Sequence, residues 1–156
     1  MLKNNAAILS IFSNTALIIF KVITGIMVGS ISIISEAIHS SIDLLASIIA
    51  YFSIKKAGKA KDNEHPFGHG KYENVSGFTE ALLILFAAAI IIAEAAKKLV
   101  TGFTLNDVTP GLIVMLIASI VNLVISRILL KVSKRTNSIA LEADAYHLLT
   151  DVVTSF

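Results

Sequence analysis

Cysteine and tryptophan are absent from this 156-residue sequence, and charged residues are scarce. Without cysteine the chain has no disulfide framework, no thiolate metal ligand and no cysteine nucleophile. Only 15% of the residues are charged, whereas 55% are hydrophobic. An ordinary soluble domain carries about 25% charged residues. The composition therefore excludes a soluble domain of ordinary type and indicates a membrane protein surrounded by a lipid bilayer.

The balance of charge excludes one class of partner. Lys and Arg together number 13 and Asp and Glu 11, which gives a net charge of +2 at neutral pH. Nucleic-acid binding depends on basic residues concentrated on one face. The sequence has no such concentration, and we expect no nucleic-acid partner.

Apolar runs long enough to cross a bilayer recur along the chain. A transmembrane helix needs about 20 mainly apolar residues, and these runs lack the alternation of barrel strands. The first run is too long for a signal peptide and has no cleavage pattern. Four runs are complete and a fifth reaches the last residue: 6–28, 31–54, 75–96, 111–130 and 139–156. We predict an all-α polytopic membrane protein with four complete spans and a truncated fifth.

The distribution of lysine and arginine predicts the orientation of the spans. Five lysines lie in segment 55–71, and three basic residues follow the fourth span at 131–135. Connections 29–30 and 101–109 are nearly free of basic residues. Because basic residues are enriched in cytoplasmic loops, we expect the N-terminus to be cytoplasmic.

One polar motif, acid-Ala-x-His-x-x-x-Asp, occurs in both the second and the fifth span. Ionisable residues at membrane depth are rare, and their default interpretation is functional. Side chains four residues apart lie on one face of a helix, so each span presents an imidazole and a carboxylate together. The predicted metal ligands are His39 and Asp43 in the second span and His147 and Asp151 in the fifth.

This donor set favours zinc. Two imidazole nitrogens and two carboxylate oxygens suit tetrahedral zinc better than calcium or magnesium, which prefer oxygen ligands in larger numbers. Two ionised aspartates also neutralise a divalent cation at membrane depth. The alternative is that each His-Asp pair is a buried hydrogen bond that joins helices without metal. Two matched copies of the motif favour the metal site.

A second histidine pair lies between the second and third spans. Pro66 disfavours helix at His65, and Gly68 permits tight turning, so we expect a shaped loop. Asp62, His65 and His69 are a candidate metal site within it. A solvated loop with incidental histidines is the alternative, and the local sequence does not decide between the two.

Other polar residues in the spans have simpler explanations. Glu36 and Asp144 lie three residues before the two motif histidines and either support the metal ligands or form structural hydrogen bonds. Asn14 is expected to join helices. Glu80 is expected at the membrane interface, and Lys21 is expected to extend outward to the membrane surface.

Together these motifs resemble the cation diffusion facilitator (cation efflux) family. Segments 35–43, 65–73 and 144–151 carry the resemblance, which covers essentially the whole chain. It implies metal:proton antiporters, usually homodimeric, with six spans followed by a cytoplasmic metal-binding domain. It also implies a transport site at the four motif residues of the second and fifth spans. A further site in the loop is shared by only some members.

The chain departs from this pattern in length. The family's sixth span and cytoplasmic domain are missing, which predicts that the sequence is a fragment or belongs to an incomplete protein. We assign residues 1–156 to an incomplete transmembrane cation-efflux domain, with a cytoplasmic histidine-containing loop at 55–74.

The predicted function is proton-coupled efflux of divalent transition-metal cations, zinc foremost, by alternating access. We expect a secondary active transporter with no catalytic or cofactor-binding residue, and zinc as its substrate and a candidate structural ion. The expected partners are the bilayer, metal cations, protons and a second copy of the complete protein, in the plasma membrane. Alternatives are manganese, iron, cobalt or cadmium export, or a metal-binding scaffold without transport. A membrane zinc hydrolase is disfavoured because four ligands leave no open coordination position.

Overall fold

A computed structural model describes residues 2–101 and 109–154. These residues form five helices: α1 (Leu2–Val28), α2 (Ile31–Ala57), α3 (Lys71–Thr101), α4 (Thr109–Thr136) and α5 (Ile139–Thr154). The first four are long and apolar enough to cross a membrane, and the described residues contain no strand. The predicted all-α fold with four complete spans is confirmed. The predicted connection 101–109 lies outside the described residues except at its two ends.

A very short turn joins α1 to α2. Gly29 has a φ of +67°, a left-handed conformation that glycine adopts without a steric penalty. Ser30 caps α2, and its side chain accepts a hydrogen bond from the backbone N–H of Ile33. Near the turn a Cβ on Gly25 would lie 2.8 Å from Cγ1 of Ile34. The small residue therefore allows α1 and α2 to pack closely as a hairpin.

The connection between α2 and α3 is shorter than the sequence predicted. The apolar run ends at residue 54, but α2 continues through Ala57 with Lys55 and Lys56 in its last turn. Cations are favourable there because of the partial negative charge at the helix C-terminus. Since α3 begins at Lys71, only residues 58–70 of the predicted 55–74 loop lie outside a helix.

We call the end of the bundle that carries residues 58–70 the loop end. A cavity of about 770 Å³ lies there, lined by the start of α1, the end of α2, the start of α3 and the α4–α5 turn. Glu73 joins three of these elements, because it accepts hydrogen bonds from Lys3 Nζ at 2.9 Å and from the Ser138 hydroxyl. Asn137, in the α4–α5 turn, has a φ of +48°.

Helix α5 occupies the centre of the bundle and contacts each of the other four helices. Alanines at the contacts allow the helix backbones to approach closely. The buried apolar cluster comprises Ala6, Ala7, Ala50, Ile54, Ile125, Leu129, Ala140, Leu141, Ala145 and Leu148. The central position of α5 also encloses its polar residues: Asp144 is 0% exposed and His147 is 2% exposed.

Candidate metal site

The structure brings three of the four motif residues of α2 and α5 together and places the fourth, His147, against one of them. One ligand atom from each of His39, Asp43 and Asp151 lies within 4.8 Å of the other two. Nε2 of His147 lies 3.1 Å from Oδ1 of Asp43. Asp43 and His147 are buried, whereas His39 and Asp151 are half-buried. We refer to these four residues as the His-Asp cluster.

The spacing within the His-Asp cluster suits a metal ion after a small contraction. Donor atoms of a tetrahedral zinc site lie about 3.3 Å apart when the metal bonds are about 2.0 Å. The distance between His147 Nε2 and Asp43 Oδ1 is already 3.1 Å. The donor atoms of His39, Asp43 and Asp151 lie within 4.8 Å of one another and would approach by at most about 1.5 Å to reach that spacing. A metal-free hydrogen bond also explains the 3.1 Å contact, but it does not require His39 and Asp151 to converge on Asp43.

The loop histidines converge on Asp62. Its Oδ1 accepts a hydrogen bond from the backbone N–H of His65 at 2.6 Å and lies 3.0 Å from His65 Nδ1. Its Oδ2 lies 3.4 Å from Nε2 of His69. Gly68, with a φ of +87°, turns the backbone between the histidines so that their ring centroids are 4.2 Å apart. One ligand atom from each of the three residues lies within 4.8 Å of the others, so they form a second candidate metal site.

The loop also changes the acidity of Asp62. Desolvation raises the pKa of this carboxyl, but the hydrogen bonds from the His65 backbone and ring outweigh that effect, together with the charges of His65 and His69. The net result is a pKa below the ordinary value. Because metal ligands must be deprotonated, the lowered pKa keeps Asp62 able to bind a cation down to a lower pH than an ordinary aspartate.

Sequence comparison agrees with the geometry. Residues 7–156 match the cation efflux transmembrane domain. The chain belongs to the cation efflux family. Family membership and four helices able to cross a membrane establish that this cation efflux domain is an integral membrane protein.

Relatives of this cation efflux domain align with nearly all of it. An uncharacterized transporter of Synechocystis is 36% identical over 149 residues, which are 96% of this chain and 48% of the relative. The manganese efflux system protein MneP of Bacillus subtilis is 30% identical over 154 residues, 99% of this chain and 52% of that protein. The cation-efflux pump FieF of Citrobacter koseri is 28% identical over 152 residues, with coverages of 97% and 51%. The chain spans about half the length of the curated relatives it matches.

Lys21 of the cation efflux domain does not extend outward, so that prediction was wrong. The residue is 4% exposed, and its Nζ donates to Ser40 Oγ at 2.6 Å and to Glu36 Oε1 at 3.1 Å. A buried ammonium group is stable at membrane depth when it is paired and hydrogen-bonded. Both partners lie on α2, and their register against α1 cannot be deduced from the sequence of either helix. Arg127 on α4, by contrast, is exposed.

Ser47 connects three helices of the cation efflux domain. Its Oγ donates to Oδ1 of Asp144 on α5 at 3.0 Å, and on α1 it lies 2.9 Å from Ser10 Oγ and accepts from Asn14 Nδ2 at 2.8 Å. The prediction that Asn14 joins helices is confirmed. Sequence reasoning missed Ser10 and Ser47. The available signal was helical spacing, since Ser10 lies four residues before Asn14 and Ser47 lies four residues after Asp43.

Glu80 is fully buried, so its predicted position at the membrane interface was wrong. It is 0% exposed, and its Oε1 accepts a hydrogen bond from Ser76 Oγ at 3.0 Å. The close approach of α3 to α5 explains the burial. A Cβ on Gly77 would lie only 3.0 Å from Cγ2 of Ile139, so the small residue lets this face of α3 pack against α5. Glu80 lies about one turn further along that face.

Proposed function

We propose that this chain is the transmembrane part of an exporter of divalent transition-metal cations, with zinc as the preferred substrate. The observation that carries the proposal is the convergence of the His-Asp cluster from α2 and α5. Two carboxylates would neutralise a divalent cation, and the two imidazoles would complete a tetrahedral shell that zinc accepts readily. Such a shell leaves no open position for a substrate of a zinc hydrolase.

Proton coupling follows from the same ligands. Histidine and aspartate bind metal in their deprotonated forms, so protons and metal compete for the His-Asp cluster. A proton gradient directed into the cytoplasm would then drive metal outward through alternating exposure of the cluster. In this proposal the protein is an antiporter of the plasma membrane with a cytoplasmic N-terminus and loop end, and the complete protein is a homodimer.

Manganese is the second candidate substrate. The observation that favours it is the 30% identity to MneP, which is described as a manganese efflux system protein. Manganese prefers carboxylate, carbonyl and water ligands, and the His-Asp cluster offers two carboxylates. The half-buried positions of His39 and Asp151 leave one side of the cluster accessible for water ligands.

The candidate loop site is proposed as an additional zinc site that orders residues 58–70. Asp62, His65 and His69 supply three donors, and His69 is buried in spite of its position in a loop. Three protein ligands leave one coordination position for water. We therefore expect zinc to exchange faster at this site than at the His-Asp cluster, where Asp43 and His147 are buried.

Metal binding and transport by defined variants test the proposal. The protein is reconstituted in vesicles with a zinc dye and a pH dye inside, and its zinc affinity in detergent is measured by calorimetry. Asp43→Ala and Asp151→Ala should each weaken zinc binding by at least about tenfold, as loss of a ligand does, and should abolish zinc-dependent proton movement. Glu142→Gln is the matched control, because Glu142 is an exposed acid on α5.

Two outcomes would contradict the proposal. Undiminished zinc and proton fluxes in both aspartate variants would remove the His-Asp cluster from the transport path. Proton movement driven by manganese but not by zinc would assign manganese as the substrate. The same vesicles tested with both metals therefore decide between the two candidates.

A further inference from the structure

Besides Glu73, which is paired with Lys3, the described residues include two further buried carboxylates outside the His-Asp cluster. Glu80 on α3 and Asp144 on α5 are each 0% exposed. The two helices meet about one turn before Glu80, where a Cβ on Gly77 would lie 3.7 Å from Cβ of Ala143, the residue before Asp144. Each has one oxygen in a hydrogen bond with a serine, Ser76 for Glu80 and Ser47 for Asp144. The other oxygens, Oε2 and Oδ2, have no hydrogen-bond partner within the part of the chain that the structure describes.

The Glu80–Asp144 pair lies between the His-Asp cluster and the loop end. Asp144 precedes His147 by three residues on α5, about 4.5 Å along the helix axis, on the side of the α4–α5 turn. A chain of hydrogen bonds also connects Asp144 to the backbone of Asp43 in the His-Asp cluster. Ser47 donates to Asp144 and accepts from Asn14, whose side chain also donates to the backbone carbonyl of Asp43 at 3.4 Å.

We propose that Glu80 and Asp144 form a proton-binding site that is separate from the metal ligands and releases a proton toward the loop end when metal binds the His-Asp cluster. The proposal deepens the proposed function and rests on it. The step breaks one carboxylic O–H bond, whose electron pair stays on the carboxylate. The proton passes to water at the loop end, and no other group is oxidised, reduced or transferred.

The charges around the pair require a proton. The ionisable groups of the His-Asp cluster that face the pair are Asp43 and His147. From α1 it is faced by Ser10 and Asn14, and the lysines of that helix are engaged elsewhere, Lys3 with Glu73 and Lys21 with Glu36. The four basic residues of α4 are exposed. Ionising both carboxylates in a buried site costs more than ionising one of them, so in this proposal the pair holds one proton.

Metal binding changes this balance. A divalent cation in the His-Asp cluster places two positive charges about one helix turn from Asp144, and a nearby positive charge favours the ionised form of a carboxyl group. Protons and metal are then linked without sharing a ligand atom. The prediction is that each bound metal displaces about one proton more than the His-Asp cluster alone releases.

Calorimetric zinc titrations in buffers of different ionisation enthalpy measure the number of protons released for each zinc bound. The Glu80→Gln/Asp144→Asn double variant has no carboxyl group left at this site. It should still bind zinc, but with about one proton fewer released than in the unmodified protein. Glu142→Gln, an exposed acid on α5, is the matched control and should leave the proton count unchanged. An unchanged count in the double variant overturns the proposal.

A measurement on the unmodified protein keeps the test decisive if the double variant does not fold. Infrared difference spectra recorded on zinc addition should show loss of a protonated carboxylic acid band, and absence of any loss overturns the proposal. Failure of the proposed function has a different signature. If the proposed function is wrong, zinc binding survives Asp43→Ala and Asp151→Ala. The proton count therefore tests the Glu80–Asp144 pair once both variants have been shown to weaken zinc binding.

Discussion

Replacing Ser47 with alanine tests the polar junction between α1, α2 and α5. The substitution removes one hydroxyl that makes three buried contacts, with Ser10 at 2.9 Å, Asn14 at 2.8 Å and Asp144 at 3.0 Å. Hydrogen bonds between helices in membranes contribute on average about 0.6 kcal/mol each. Loss of all three should therefore lower the free energy of unfolding by about 2 kcal/mol, because alanine offers these partners neither a donor nor an acceptor.

Reversible unfolding of the purified protein in mixed micelles containing increasing SDS measures this change. Ser41→Ala is the matched control on the same helix. The Ser41 side chain is exposed and donates only to the backbone carbonyl of Ala37, four residues earlier. Its removal should change the free energy of unfolding by less than about 0.5 kcal/mol. If Ser47→Ala is no more destabilising than Ser41→Ala, the hydroxyl does not hold the three helices together.

Two further predictions concern the other polar contacts. Lys21→Met should lower the free energy of unfolding by about 1–2 kcal/mol, because Glu36 loses its ammonium partner. Adding Glu36→Gln should recover part of the loss. A double-mutant cycle measured by unfolding in SDS would refute the pairing if it showed no coupling between the two residues. The lowered pKa of Asp62 means that its loop contacts are fully formed above the ordinary value of 3.8 and are lost as pH falls through the lower folded value. Carbon NMR titration of Asp62 should show a larger upward pKa shift in His65→Ala than in His69→Ala, since only the His65 ring lies at hydrogen-bond distance from Oδ1, and equal shifts would contradict this assignment.

The sequence predicted the contacts that depend on position along one helix. The four-residue spacing of His39 and Asp43 places both on one face of α2. The same spacing in α5 made the contact between Asp43 and His147 a reasonable prediction. Apolar length alone identified the four spans. These features follow from the periodicity and length of helices, which are local properties of the chain.

The predictions that were wrong concern residues whose surroundings depend on how helices rotate and slide against each other. Lys21 and Glu80 were both assigned to the membrane surface because isolated ionisable residues favour water. In the structure each faces a polar partner inside the bundle, Ser40 for Lys21 and Ser76 for Glu80. The burial of Glu80 also depends on the close packing of α3 against α5 at Gly77. Neither these polar contacts nor the burial of Glu80 can be deduced from the sequence alone, because both depend on how the helices pack.

The short connection between α1 and α2 restricts how the domain can change shape. Gly29 and Ser30 alone separate the two helices in sequence, so the adjoining helix ends cannot move far apart. Hydrogen bonds from Lys21 to Ser40 and from Asn14 to Ser47 join the helices along their length. Separating α1 from α2 would expose these groups to hydrocarbon, where they have no partners. During an alternating-access cycle α1 is therefore expected to travel with α2 as one rigid unit.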